Sequence, residues 1–495
     1  MPATPIPHAV FRQGCVAVCL AVLMLAAGCA APKSSMTART PWLTPLERQL
    51  ATAERDKDLS GAVLVAHGDQ VLLRRAYGWA DRALDVRNRP DTRFNLASMN
   101  KMFTALAILR LVQDGRLTLD EPIIRWLPTY PNRVVAERVT VRQLLGHTSG
   151  LGNFWEALQS RSPSSVCSTS DFLALFVDDP LQGEPGATFA YSNSGYIVLG
   201  LLIETVSGEP YEAHMQRSLF VPLGMHDTGA IALDHVVPRR ATGHTRSQER
   251  PGEWLNNAYV NTFCGTAAGG GYSTVDDMLR FGRALAAGEL LEPGLMKLYA
   301  TGVQPYSKGR YALGLSEQTI GGHRVIGHSG GHIGIAGELL VFADDDHVAV
   351  ILTNGDVDAF WNVRNTIVRA LLGDDTESAP YWRTLDVIDR TDRDGLQPGV
   401  EEAARLGGAS GLRESVIDVT AGKWLHRGDA SRSMALFELN TRLFPDSDDA
   451  LLRFADAARV LELDTVAVAA YQRYLARVPG DTEAATHLRS LLRTK

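Results

Sequence analysis

Asn95-Leu96-Ala97-Ser98-Met99-Asn100-Lys101 is the most informative stretch of this 495-residue chain. The largely apolar run Met102–Leu109 follows it and predicts a buried helix. Three residues apart on one helical face, Ser98 and Lys101 would have Cβ atoms about 5–6 Å apart. A lysine in such a helix is costly unless it has a function, and burial can keep its amine neutral. The pattern predicts Ser98 as a nucleophile and Lys101 as the base that takes its proton.

A second candidate group is Tyr191-Ser192-Asn193. A tyrosine hydroxyl can relay a proton between serine, lysine and a leaving group. The Asn193 amide can donate to a substrate carbonyl while its oxygen contacts the lysine. Taken alone, the tripeptide also fits an ordinary turn, so its interpretation depends on the other motifs.

The third group, His328-Ser329-Gly330-Gly331, lies just before the predicted strand Ile335–Phe342. Small residues at Ser329, Gly330 and Gly331 would let a substrate backbone lie beside a strand edge. The Gly331 and Ser98 amides could then form an oxyanion hole. His328 could bind a carboxylate or assist Tyr191, or it could be a structural capping residue.

The three motifs, in this order, resemble the serine β-lactamase and D-alanyl-D-alanine carboxypeptidase superfamily, in particular its class C and related esterase branch. The resemblance covers about residues 44–373. Three further stretches support it: Leu144–Leu151 (LLGHTSGL), Leu219–Met225 (LFVPLGM) and Gly269–Thr274 (GGGYST).

The resemblance implies an α/β (α+β) fold, with a β-lactamase/transpeptidase-like antiparallel sheet flanked by helices and a helical subdomain. It also implies an acyl-enzyme on Ser98, proton transfer by Lys101 and Tyr191, and a substrate amide bound by Asn193. Class C β-lactamases carry Lys-Thr-Gly where this chain has His328-Ser329-Gly330, which weakens the cation expected for a carboxylate. We therefore expect hydrolysis of D-alanyl peptides or of small esters and amides.

Two alternatives remain open for the function. One is a β-lactamase of the class C type. The other is a non-catalytic lipoprotein that binds peptidoglycan fragments as a scaffold. The presence of Ser98, Lys101 and Tyr191 together argues against a site that has lost its chemistry.

The first residues resemble a bacterial lipoprotein leader. Cys15–Ala27 is apolar, follows Arg12 and is short for a membrane span, so residues 1–28 are predicted to be a signal peptide. Leu25-Ala26-Ala27-Gly28-Cys29 resembles a lipobox, which predicts lipidation of Cys29. Residues 29–43 are expected to be a tether, and the protein is expected in the periplasm, anchored to the outer membrane.

The remaining chain is predicted to form a hydrolase domain at 44–373, a linker at 374–400 and a small all-α repeat domain at 401–495. Phe437–Phe444 and Tyr471–Val478 recur at an offset of 34 residues, which is the period of tetratricopeptide repeats. Such repeats would offer a surface for a protein partner. The alternative is an unspecialised helical extension packed on the hydrolase domain.

Composition narrows the other possibilities. The net charge of −7 and the lack of a basic stripe exclude nucleic acid as an expected partner. His323, His328 and His332 fit no common zinc-ligand spacing, so neither a metal nor another cofactor is expected. Cys167 and Cys264 lie 97 residues apart, and the sequence leaves open whether they form a disulfide.

Overall fold

The computed structural model describes residues 41–56, 58–230, 235–247, 250, 253–258, 260, 262, 264–307, 309–373, 379–426 and 428–493. The predicted signal peptide, Cys29 and most of the tether lie outside these ranges. No helix in the described part of the chain is long and apolar enough to cross a membrane.

The described strands are β1 (Gly61–His67), β2 (Gln70–Tyr77), β3 (Trp79–Asp81), β4 (Val86–Arg87), β5 (Phe94–Asn95), β6 (His244–Arg246), β7 (Trp254–Asn256), β8 (Tyr272–Ser273), β9 (Gln304–Tyr306), β10 (Gly309–Tyr311), β11 (Ser316–Ile320), β12 (His323–His332), β13 (Ile335–Phe342) and β14 (His347–Thr353). The described α-helices are α1 (Leu43–Asp56), α2 (Asn100–Gln113), α3 (Arg133–Arg138), α4 (Val141–Leu145), α5 (Trp155–Gln159), α6 (Thr169–Leu173), α7 (Asn193–Ser207), α8 (Tyr211–Met215), α9 (Val275–Ala286), α10 (Pro293–Ala300), α11 (Val357–Leu372), α12 (Ala379–Asp394), α13 (Leu396–Arg405), α14 (Glu414–His426), α15 (Ala430–Leu443), α16 (Asp448–Val460), α17 (Asp464–Arg477) and α18 (Thr482–Arg493).

Eight strands form one antiparallel sheet in the order β2-β1-β14-β13-β12-β11-β10-β9. The sheet is assembled from both ends of the hydrolase domain, because β1 pairs with β14 along its whole length, from Gly61 opposite Thr353 to His67 opposite His347. This confirms the predicted fold class. The helical segments between β2 and β9 form the predicted inserted region.

Both faces of the sheet are covered, because apolar side chains of its central strands are buried on each face. Along β1, Val63 and Val65 pack on one face with α1 and α11, while Ala62 and Leu64 pack on the other face with α2 and α9. Period-two alternation sends successive side chains to opposite faces. Burial of each large apolar side chain contributes about 1.5–3 kcal/mol, so these two layers fix the sheet that carries the site.

Helix α2 is the central helix of the domain. Eleven of its fourteen residues are buried, including Lys101. A short 3-10 turn, Ala97–Met99, precedes it and contains Ser98. The S-x-x-K pair therefore lies at the N-terminal end of a helix enclosed by protein, as the apolar run predicts.

The predicted linker at 374–400 is wrong for most of its length. Residues 374–378 lie outside the described ranges, but α12 and α13 occupy 379–394 and 396–405. Ala379, Trp382 and Val387 are buried on one side of α12, and charged residues fill the other. Charged residues dominate the composition of this stretch, which is typical of a linker. The spacing of its few apolar residues nevertheless makes it an amphipathic helix.

The C-terminal helices pack around two apolar clusters of their own. Helix α17 begins 34 residues after α15, and both have 14 residues. Polar contacts join this region to the hydrolase domain: Arg369 makes two 2.9 Å contacts with Asp386, and Lys423 Nζ lies 2.7 Å from Asp358 Oδ1.

Cys167 and Cys264 form a disulfide with a Cα–Cα distance of 5.0 Å. The bond closes a loop of 97 residues and joins the segment before α6 to the segment before β8. This settles the pairing that the sequence leaves open.

Candidate active site

Ser98 lies where the backbone is held in an uncommon conformation. Ala97, immediately before it, has φ of +43°, a region that residues with a side chain seldom adopt. Gly330 of β12 approaches the same turn so closely that a Cβ there would lie 3.0 Å from the Ser98 amide nitrogen. Only glycine fits at this point of the strand. The strand edge therefore lies directly beside the amide of the candidate nucleophile.

Lys101 has no exposed surface, and its amine has three neighbours. Nζ lies 3.2 Å from Ser98 Oγ, 2.7 Å from Asn193 Oδ1 and 2.5 Å from the carbonyl oxygen of Ala268. Burial lowers the pKa of Lys101 well below its ordinary value, which favours the neutral amine.

A neutral amine has two N–H groups and one lone pair. The Asn193 and Ala268 oxygens can only accept, so they take both N–H groups of Lys101. The lone pair is then left for the Ser98 hydroxyl, which donates to it. This arrangement orients the amine to remove the serine proton, provided that Lys101 is neutral.

Tyr191 contacts the same serine through a side-chain hydrogen bond. Burial raises the pKa of Tyr191, and the bond to Ser98 only partly opposes this rise. The ring also lies beside the lysine, with Nζ 4.9 Å from its centroid. Tyr191 thus keeps its proton at neutral pH, whereas Lys101 can lose one. Tyr191 can therefore act as a proton donor and Lys101 as a base.

Asn193 is held by a residue that the sequence motifs do not include. Asn153 Oδ1 accepts from both the backbone N–H and the side-chain amide of Asn193, each at 2.8 Å. Ser192 caps α7 by accepting from the Gly195 N–H at 2.9 Å. The side-chain oxygen of Asn193 is consequently directed at Lys101.

His147 packs against the segment that carries Tyr191 and Ser192. It is fully buried, and its Nδ1 accepts from the Ser192 N–H at 3.1 Å. Its ring centroid lies 4.2 Å from that of Tyr191. Burial lowers the pKa of His147 well below its ordinary value. Its position is that of an anchor for the loop that carries Tyr191.

His328 is buried and not placed to contact a substrate, which argues against carboxylate binding and agrees with the structural role that the sequence also allows. Its Nε2 lies 2.9 Å from the Tyr311 hydroxyl, and Nδ1 lies 2.5 Å from the Ser329 carbonyl oxygen. Burial lowers the pKa of His328 to about 3, so the ring is neutral and packed inside the protein. The structure therefore gives no cation at the position where class C enzymes have lysine.

Ser329 and Gly331 differ in their surroundings. Ser329 is partly exposed on β12, whereas Gly331 is exposed and borders a cleft together with Ser98 and Asn193. Further residues of this cleft that the sequence reasoning missed are Asn95, Phe154, Trp155, Thr262, Thr266, Ala268, His332 and Ile335. Among the described residues no cluster of three metal-ligating side chains occurs.

Comparison with known proteins identifies the family of this chain. The family model described as beta-lactamase matches residues 47–373. The chain belongs to the beta-lactamase family. It is a serine hydrolase of the type that includes β-lactamases and penicillin-binding proteins.

Three relatives illustrate the range of this beta-lactamase family. Penicillin-binding protein 4* of Bacillus subtilis is 27% identical, and the match covers 63% of this chain and 72% of that protein. Esterase EstB of Burkholderia gladioli is 38% identical over 37% of this chain and 50% of its own length. The structure of D-amino acid amidase from Ochrobactrum anthropi has a TM-score of 0.56 at 26% identity, covering 66% of this chain and 97% of that one.

Proposed function

We propose that this chain hydrolyses small esters and amides that carry no acidic group, including D-aminoacyl amides, through an acyl-enzyme on Ser98. The observation that supports this most directly is the set of contacts around Lys101 Nζ, which leaves its lone pair for Ser98. Lys101 takes the hydroxyl proton as Ser98 Oγ attacks the carbonyl carbon. The Ser98 and Gly331 amides stabilise the oxyanion, and Tyr191 passes a proton to the leaving group.

Deacylation uses the same groups in reverse order. A water molecule attacks the acyl carbon and gives its proton to the Lys101–Tyr191 pair. Ser98 Oγ leaves and recovers a proton, which restores the starting state. No group outside the described site is needed for either half of the reaction.

The preference for substrates without a carboxylate rests on the neutral His328. A carboxylate-bearing D-alanyl peptide or β-lactam needs a cation in the cleft, and the described cleft residues include no lysine or arginine. An esterase and a D-amino acid amidase among the similar proteins agree with this proposal. The penicillin-binding relatives make slow acylation by penicillin the second candidate activity.

The test is intact-mass analysis after incubation with a fluorophosphonate and with a penicillin probe. Hydrolysis of p-nitrophenyl acetate, D-phenylalanine amide and a D-alanyl-D-alanine peptide would be measured in parallel. We expect fluorophosphonate labelling and ester turnover in the wild type but not in Ser98→Ala, while exposed Ser164→Ala behaves like the wild type. Labelling that persists in Ser98→Ala would contradict the assignment.

We also propose that the protein acts outside the cytoplasm as a lipoprotein anchored through Cys29 in the outer membrane. The Cys167–Cys264 disulfide is consistent with an oxidising compartment. Cys29→Ser is expected to move the protein from the membrane to the soluble periplasmic fraction. An unchanged membrane fraction would contradict the anchor.

For the C-terminal helices we propose tetratricopeptide-like repeats that bind a protein partner. The 34-residue spacing of α15 and α17 supports this. A photo-crosslinking residue at Val466, which is 39% exposed on α17, should give a specific adduct in cells. The same residue at exposed Leu84 of the hydrolase domain is the control, and equal crosslinking at both positions would contradict the proposal.

A further inference from the structure

The cleft beside Ser98 is bounded by two aromatic side chains from separate parts of the fold. Trp155 begins α5 in the inserted helical region, and His332 ends β12. Their ring centroids lie 5.4 Å apart. Phe154 and Ile335, both buried, stand behind them. Trp155 and His332, which belong to different elements, thus form two sides of the cleft next to the candidate nucleophile.

The cleft has an uncharged lining at neutral pH. Its described lining residues include no aspartate, glutamate, lysine or arginine, and His332 is the one imidazole among them. The Ile333 N–H donates to His332 Nδ1 at 2.8 Å, so the neutral ring carries its proton on Nε2. Burial lowers the pKa of His332, which keeps the ring neutral.

An acyl group that enters this cleft loses water from most of its surface. An apolar chain gains from that transfer, whereas a carboxylate would be desolvated without an opposite charge. The described residues that line the cleft include no charged side chain and several apolar ones, which suits a short or aromatic acyl group.

We propose that Trp155 and His332 form an acyl-group clamp that selects short, largely apolar acyl groups and rejects acidic ones. This inference rests on the proposed acyl-enzyme at Ser98 and names the acyl side of its substrate. The residues act by contact with the acyl chain, so they determine specificity and take no part in proton transfer.

The test compares two esters with the same leaving group, p-nitrophenyl butyrate and p-nitrophenyl hemisuccinate. The ratio of their kcat/KM values reports the acyl side alone, because the leaving group and the machinery at Ser98 are shared. In the wild type we expect the butyrate to be preferred by about 100-fold or more. In His332→Lys a cation enters the cleft, and the preference should fall by about 10-fold or more through a gain on the hemisuccinate.

The control is Ile333→Lys, which adds the same charge one residue further on. Ile333 is 49% exposed and does not line the cleft. Its ratio should stay within about threefold of the wild type, since an exposed charge is screened by water and salt. His332→Gln separates the effect of the new charge from the loss of the imidazole.

A second variant tests the other wall. Trp155→Ala should reduce kcat/KM for the butyrate by about 10-fold while changing p-nitrophenyl acetate much less, because the shorter chain does not reach the ring. The clamp would be overturned if His332→Lys left the butyrate-to-hemisuccinate ratio unchanged and Trp155→Ala left the butyrate-to-acetate ratio unchanged, with ester turnover retained. Ser98 would remain the nucleophile in that case. Absence of any ester turnover or labelling in the wild type would instead mean that the proposed function fails.

Discussion

His328 Nε2 lies 2.9 Å from the hydroxyl oxygen of Tyr311, and both groups are buried. Tyr311 also contacts Tyr196 by a side-chain hydrogen bond. The histidine of the His-Ser-Gly motif is thus part of a buried polar network under the site. Its neutral state removes the charge that would attract acidic substrates.

The first prediction concerns this network. Tyr311→Phe leaves His328 Nε2 without its partner, and we expect the free energy of unfolding to fall by about 1–3 kcal/mol. Urea unfolding monitored by tryptophan fluorescence measures the change. Tyr306→Phe is the matched control, because Tyr306 is partly exposed, and its effect should stay within about 0.5 kcal/mol. Equal losses in both variants would show that the His328 contact contributes nothing specific.

The second prediction uses the lowered pKa of Lys101. In the window between its native pKa and about 10.5, the unfolded chain binds a proton that the folded protein does not. The stability of the wild type should therefore rise with pH across this window, by up to about 1.4 kcal/mol per pH unit. Lys101→Met lacks this contribution, so its stability relative to the wild type should decline as the pH increases.

Urea unfolding of both proteins between about pH 6 and pH 9 provides the measurement, since other titrating groups cancel in the difference. Acylation by the fluorophosphonate should be abolished in Lys101→Met at every pH. A stability difference that does not change with pH would mean that Lys101 keeps its proton in the folded state, and the base would have to be another group.

Some of this site could be predicted from the sequence and some could not. Ser98, Lys101, Tyr191 and Asn193 belong to short motifs in which residue type and spacing carry the chemistry, and the structure brings them together. The Ala268 carbonyl could not be foreseen, because a backbone oxygen has no sequence signature. The sequence could not decide among the possible roles of His328, because its partner Tyr311 lies 17 residues away on another strand.

The same reasoning applies to the fold. Strand β13 has the bounds that the sequence predicts, Ile335–Phe342, because its apolar run is bounded by Gly or Asp. The disulfide depended on a distance between two loops that only the packed structure supplies. Helix α12 was missed because its charged face obscured the spacing of its buried residues.

The third prediction concerns Tyr191. Tyr191→Phe removes the hydroxyl that contacts Ser98 and retains the ring beside Lys101. We expect kcat/KM for p-nitrophenyl acetate to fall by about 10²–10⁴-fold, the usual range for loss of a positioned proton donor. The midpoint of thermal unfolding should change little. Tyr306→Phe again serves as control, and an activity as high as that of this control would exclude Tyr191 from proton transfer.

The fourth prediction concerns the disulfide, which fixes one side of the site. Cys264 lies just before Thr266 and Ala268, whose carbonyl oxygens accept from Asn100 and Lys101. Ala267 between them packs on Gly200 of α7, where a Cβ on residue 200 would lie 2.8 Å from that of Ala267. The bond to Cys167 thus restrains a segment on which the orientation of the lysine amine depends.

Replacing both cysteines by serine should lower the free energy of unfolding by about 2–5 kcal/mol, because a loop of this length gains entropy in the unfolded chain. We also expect kcat to fall while Ser98 is still labelled, since the Ala268 oxygen is less firmly held against Lys101. Treatment of the wild type with dithiothreitol should reproduce both effects, given that Cys167 is exposed. The double variant should not respond to the reductant. Unchanged kcat in a clearly less stable double variant would show that the disulfide stabilises the fold without positioning the catalytic lysine.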